Sequence, residues 1–147
     1  MMTRLAELYD RDFFEWTQCN AALLRAGRFE QADVEHIAEE IEDMGKSQRR
    51  ELENRLERLL QHLLKWRLQP EMRNQSWRST IKVQRREIGK LLAEMPSLKP
   101  ALAAGLRDAY EGGVARASAE TGLPESAFPA SCPFDLDQIF DQGFLPE

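Results

Sequence analysis

Apolar positions in this chain recur every three and four residues, and no segment shows the strict alternation of a half-buried strand. Leu5, Leu8, Tyr9, Phe13, Trp16 and Leu23 fall near one face of a first helix, from about Thr3 or Leu5 to Leu24 or Ala26. Gly27 follows where a left-handed stop is favourable, and Phe29 sits in a short connection. From Val34 the steps run through Ile37, Ala38, Ile41 and Met44, and the same phase passes Gln48 into Leu52, Leu56, Leu59, Leu60, Leu63 and Leu64. Asp33 stands at an N-cap position, and no proline interrupts before Pro70. The spacing predicts one helix over about 34–69, roughly 50 Å long at about 1.5 Å per residue. Gly45 costs about 1 kcal/mol against alanine inside a helix, so a bend is expected there; two helices broken at Gly45 is the alternative.

Pro70 to Gln75 reads as a turn, and Ser76 as the cap of a third helix carrying Trp77, Ile81, Ile88, Leu91, Leu92 and Met95. Pro96 ends it. Ser97 reads as the cap of a fourth helix, with Pro100 in the first turn, where a missing N–H costs little. That helix presents Leu102, Leu106, Ala109, Tyr110 and Val114 and fades at Thr121-Gly122 before Pro124. The tail from Leu123 holds Phe128, Phe134, Ile139, Phe140 and Phe144. Disordered tails are poor in aromatics, so this one is expected to fold into short helical turns. The expected architecture is a single all-α domain: a bundle of four main helices over residues 1–122, with the tail 123–147 packed on it.

The length of 147 residues suits one core. No run approaches the roughly 18 apolar residues a membrane span needs, and the N-terminal residues lack a signal peptide's apolar segment. A cytoplasmic, membrane-free protein is expected. Cys19 and Cys132 have no metal-ligand spacing and read as two reduced, partly buried thiols; a disulfide tying the tail to the first helix is the lesser alternative. The net charge of −5 conceals a segregation: residues 1–45 carry −7, residues 46–90 carry +8, and residues 91–147 carry −6. That pattern means neutralisation within the fold, pairing between subunits, or a basic surface kept for an anionic partner.

One resemblance spans nearly the whole chain. It begins at Tyr9-Asp10, Asp12-Phe13 and Trp16, and continues in Leu23-Leu24-Arg25-Ala26-Gly27 and Ala38-Glu39-Glu40-Ile41-Glu42-Asp43-Met44-Gly45. Its densest part is His62-Leu63-Leu64-Lys65-Trp66 with Gln69-Pro70, Arg73, Ser76-Trp77, Ile81, Gln84-Arg85 and Ile88. It closes with Thr121-Gly122-Leu123-Pro124, Cys132-Pro133-Phe134 and Phe144-Leu145-Pro146. In these motifs the chain resembles the bacterial domain of unknown function 29 family. The resemblance implies an all-helical bacterial domain that usually stands alone in its chain, and it brings no catalytic residues and no cofactor.

Three constellations carry candidate chemistry. His36, Glu39, Glu40 and Asp43 share a helical face, and with His62 they form a candidate metal set. Di-iron bundles, however, need Glu-x-x-His on two helices, whereas here His36-x-x-Glu39 occurs once and in the reverse order. An acidic face pairing with arginines is the plainer reading. Lys65, Arg73, Arg78, Lys82, Arg85 and Arg86 surround Trp66 and Trp77 at one helix-to-helix turn. Cations that grip phosphate beside a stacking ring suit nucleic acid; the plainer reading makes both tryptophans core residues. Leu52, Leu56, Leu59, Leu63 and Trp66 form a wide apolar stripe that suits a second chain in an antiparallel pairing, or else the third and fourth helices. There is no Gly-x-Ser-x-Gly and no Gly-rich phosphate loop; Cys19 and His62 could meet in space as a nucleophile pair, but a lone thiol on an apolar helix is usually core. The leading expectation is a non-enzymatic protein–protein interaction module, self-associating or bound to another small protein. A nucleic-acid-associated or toxin-antitoxin-type regulator using Arg78–Arg86 comes second, and a metal-dependent enzyme on the acidic face third.

Overall fold

A computed structural model describes residues 4–147, so Thr3 as a helix start lies outside the described residues. The described chain is helical throughout, without a strand. In order it forms α1 (Arg4–Arg11), α2 (Phe13–Arg25), α3 (Val34–Leu68), α4 (Gln75–Glu94), α5 (Lys99–Thr121) and α6 (Leu136–Phe140). Short 3₁₀ turns occupy Phe29–Gln31, Pro70–Met72, Pro96–Leu98 and Glu125–Ala127. None of the helices is long and apolar enough to cross a membrane.

Three boundaries differ from the sequence expectation, each through a cap. The first expected helix is two, because Asp12 leaves the helical conformation and its carboxylate accepts from the Glu15 N–H at 3.1 Å, starting α2. Asn74, not Ser76, caps α4, accepting from the Trp77 N–H at 2.9 Å. Ser97 lies within the Pro96–Leu98 turn, and α5 begins at Lys99 with Pro100 in its first turn but no side-chain cap. The long helix holds: α3 runs 35 residues, unbroken at Gly45. Gly27 (φ 73°) and Gly122 (φ 77°) take left-handed backbone just past α2 and α5, where a Cβ would be strained.

The chain resolves into two compact units, one ending at Ser47 and the other spanning Gln48–Glu147. The second holds the large core. Leu52, Leu56, Leu59, Leu60, Leu63 and Leu64 of α3 are at most 1% exposed. They pack with Ile81, Ile88 and Leu91 of α4 and with Leu102, Ala109, Tyr110 and Ala117 of α5. Phe128, Phe134 and Ile139 of the tail complete the cluster, so the tail is ordered by burial. α5 comes close to α3 along small residues spaced by four: Gly105, Ala109, Gly113 and Ala117, all buried. A Cβ on Gly113 would meet the Gln61 N at 3.2 Å and the Glu57 O and Leu60 Cβ at 3.3 Å.

The first unit is tied mostly by polar bonds. Trp16 is its one buried apolar side chain among the described residues. The Trp16 indole N–H donates to the Asp33 carboxylate at 2.9 Å. Buried Asn20 donates to the Trp16 carbonyl and accepts from the Asp33 N–H, both at 2.8 Å.

Candidate functional site

The basic turn of the second unit is where most candidate residues converge, and most of them face inward. All residues from Leu59 to Trp66 of α3 are buried. Lys65 is 6% exposed. Its ammonium donates to Glu120 of α5 and stands 4.5 Å from the Trp77 ring centre. Gln61 donates to the other Glu120 oxygen at 2.6 Å. The hydrogen bond from Lys65 holds the Glu120 carboxyl below its usual range. His62 donates through Nδ1 to the Arg58 carbonyl at 2.9 Å, and burial pushes its pKa down.

Arg73 and Arg85 bind the tail. Arg73 donates to the Trp66 carbonyl at 2.7 Å and to the Pro146 carbonyl at 3.1 Å, with its guanidinium 5.0 Å from the Trp66 ring. Arg85, 5% exposed, donates to the Ile139 carbonyl at 2.6 Å and the Gln138 carbonyl at 3.1 Å, satisfying the end of α6. Burial lowers the Arg85 pKa from its usual value. Arg86 is exposed and stands 3.7 Å from Glu87. Of the six basic candidates, Arg78 and Lys82 remain exposed without an acidic partner. They line a cleft of about 440 Å³ with Ile81, Arg85, Gln142 and Leu145. Trp66 is buried and Trp77 half-buried, so the rings serve as platforms for cations within the fold.

The metal candidates disperse. His36 donates through Nδ1 to Asp33 at 2.6 Å, and Asp33 also accepts from Trp16. That hydrogen bond raises the His36 pKa. Burial works to raise the Asp33 pKa, but the bonds from Trp16 and His36 outweigh it and hold the carboxyl low. Glu40 accepts from the Tyr9 hydroxyl, which pushes the Tyr9 pKa up to about 12. The Tyr9 ring stacks on His36 with centres 4.0 Å apart. Glu39 and Asp43 are exposed, and His62 belongs to the other unit. Among the described residues, no three His, Cys, Asp or Glu side chains stand where they could share a metal ion. The polar face of α3 is used instead to fasten α1 and α2. Cys19 and Cys132 are free thiols, both half-buried, and burial raises the Cys132 pKa.

Sequence reasoning missed one feature. Of nine large apolar side chains exposed among the described residues, seven lie in the first unit. Phe13 and Phe14 (73% exposed) are on α2 with Leu24, and Phe29 follows in its turn. Val34, Ile41 and Met44 (60%) mark one seam of α3 at steps of seven and three. The periodicity locates that seam, but apolar spacing alone does not say whether it is covered.

These features define an all-helical, two-unit protein with one large core and one sparsely buried helical unit. Residues 8–145 match the family described as Domain of unknown function DUF29, and the chain belongs to that family. No curated protein and no solved structure matches it.

Proposed function

We propose that the protein is a helical protein–protein interaction module whose first unit receives an amphipathic helix with a basic polar face, supplied by another protein. The observation that carries this reading is the exposed apolar set of Phe13, Phe14, Val34, Ile41 and Met44 on a unit with one buried apolar side chain. A concentration of exposed apolar side chains on one unit points to an interaction site. Val34, Ile37, Ile41 and Met44 follow the three-and-four spacing that fits a facing helix. Covering each large side chain contributes about 1.5–3 kcal/mol, so four or five of them support micromolar binding after association costs.

Charge selects the occupant. Residues 1–45 carry −7, and Glu35, Glu39, Glu42 and Asp43 are exposed along the same stretch of α3. A second copy would set these acids against their equivalents, whereas a lysine-rich helix would neutralise them.

The test is fluorescence anisotropy with two labelled model helices, one of leucine and lysine and one of leucine and glutamate, in about 0.15 M salt. The lysine peptide is expected to bind at micromolar concentration and to lose at least about tenfold with Ile41→Lys plus Met44→Lys. Both positions are exposed, so the folded state survives the change. Equal binding of the two peptides overturns the reading. So does a wild-type dimer in sedimentation at micromolar protein that this double variant dissociates, because a second copy would then be the occupant.

A further inference from the structure

The cleft between α4 and the C-terminal tail goes beyond that reading, because it lies wholly in the second unit and is built for an anion rather than a helix. Its volume of about 440 Å³ is in the range of small-molecule sites. Ile81 and Leu145 give it an apolar portion, and Arg78, Lys82 and Arg85 bring three cations to it. We propose that it binds a small phosphomonoester: a dianionic phosphoryl group held by the three cations, with a compact apolar body against Ile81 and Leu145.

Two of the three cations are positioned before a ligand arrives. Arg85 is fixed by its bonds to the Gln138 and Ile139 carbonyls. Those use two of its five N–H groups, and no protein acceptor takes the rest among the described residues. The Arg78 guanidinium lies 5.2 Å from the Trp66 ring centre, and stacking of this kind restricts where the fork can go. Lys82 forms no ion pair, and its carbonyl accepts from the Gln142 amide at 3.4 Å, which links α4 to the tail. Asp141 is the carboxylate that acts on Arg85. Three cations lining one cleft suit a phosphomonoester dianion.

A polynucleotide is the weaker fit. Tracking a backbone needs a run of free cations, and the neighbours here are taken. Arg86 and Lys90 stand 3.7 and 3.8 Å from Glu87, Lys65 is held by Glu120, and Arg73 is spent on main-chain carbonyls.

The experiment is a titration of the full chain with phenyl phosphate, followed by proton–nitrogen correlation spectra, with benzenesulfonate and a short single-stranded oligonucleotide as parallel arms. Saturable shifts are expected at the amides of Lys82, Arg85, Gln142 and Leu145, with a dissociation constant of about 1 mM or tighter. Lys82→Glu is expected to weaken binding at least about tenfold, and Arg78→Ala by about three- to tenfold. Both side chains are exposed, and unchanged circular dichroism shows that the variants fold. Benzenesulfonate, a monoanion of the same shape, is expected to bind at least about fivefold more weakly. Absence of saturable shifts, Lys82→Glu binding as wild type, or equal affinity for the sulfonate overturns the proposal. Tighter oligonucleotide binding with shifts spread along α4 also overturns it, in favour of a polynucleotide surface.

Discussion

Replacing Glu120 by alanine strands a buried ammonium. Lys65 has a side chain 7% exposed, and Glu120 is its carboxylate partner. The change also removes the acceptor of Gln61. Breaking a fully buried pair costs about 3–5 kcal/mol, and an exposed pair contributes about 0–1 kcal/mol. Glu120 is 50% exposed, so water replaces part of what it supplied, and the Trp77 ring 4.5 Å from the ammonium retains part of the attraction. The cost therefore falls between the limits, at about 2 kcal/mol, or roughly 4–8 °C in Tm for a chain of this size. The assay is urea unfolding followed by far-ultraviolet circular dichroism at neutral pH, on wild type, Lys65→Met, Glu120→Ala and the double variant. The expected coupling between the two positions is about 1–2 kcal/mol, with the double variant more stable than Glu120→Ala. Because Lys65 depresses the Glu120 carboxyl below its ordinary value of 4.5, this stabilisation is present above that pH. It is lost as the pH falls through the folded-state value. A coupling within about 0.5 kcal/mol of zero refutes the view that this pair anchors α3 to α5.

Two further perturbations test other joints of the fold. Gly113→Ala forces a Cβ against the α3 backbone at 3.2–3.3 Å; despite the better helix propensity of alanine, a net loss of about 1 kcal/mol is expected in urea unfolding. Gly112→Ala meets only the movable Glu57 carboxylate, so it is expected to be neutral or mildly stabilising, and the reverse order of the two variants refutes the close approach. In the first unit, Asp33→Asn is expected to return the raised His36 pKa toward its ordinary 6.5 in an NMR titration. In wild type the Asp33–His36 bond stabilises fully below pH 6.5 and fades as the pH rises through the higher folded-state value; a His36 pKa unmoved by Asp33→Asn contradicts this.

The helices were legible because apolar spacing in this chain is regular, and Pro70, Pro96 and Gly122 punctuate it. The local switch points were not: Asp12 caps α2 from within a run that continues in phase, Asn74 competes with Ser76 two residues on, and a cap is decided by one side-chain bond to a backbone N–H. The site was half legible. Charge suggested a basic surface around Trp66 and Trp77, yet burial turned Lys65 and Arg85 inward. Arg85 carried a usable signal, since it lies four residues after Ile81 and three before Ile88, in the apolar phase of α4. Lys65 had none, because every position from Leu59 to Trp66 is buried and periodicity is lost on a helix covered all round. Its partner Glu120 lies 55 residues away, a pairing that only the packing of α5 on α3 creates.

The charge segregation resolves differently in the two units. In the second, the middle and last third of the chain pair in both senses, Lys65–Glu120 and Arg116–Glu57 at 2.5 Å, and the middle pairs within itself in Arg55–Glu51 at 3.2 Å. Pairing thereby consumes part of the positive charge, and Arg78 and Lys82 are among the exposed cations left without an ion pair. In the first unit, the ion pairs among the described residues are Arg11–Glu7 at 3.8 Å and His36–Asp33. Glu35, Glu39, Glu42 and Asp43 stay exposed along the same stretch of α3 as Ile41 and Met44. Acids left unneutralised repel one another, and uncovered apolar side chains stabilise nothing within the unit. A basic helix laid on that seam removes both costs together, so its affinity should fall as salt screens the acids, while the apolar contribution persists.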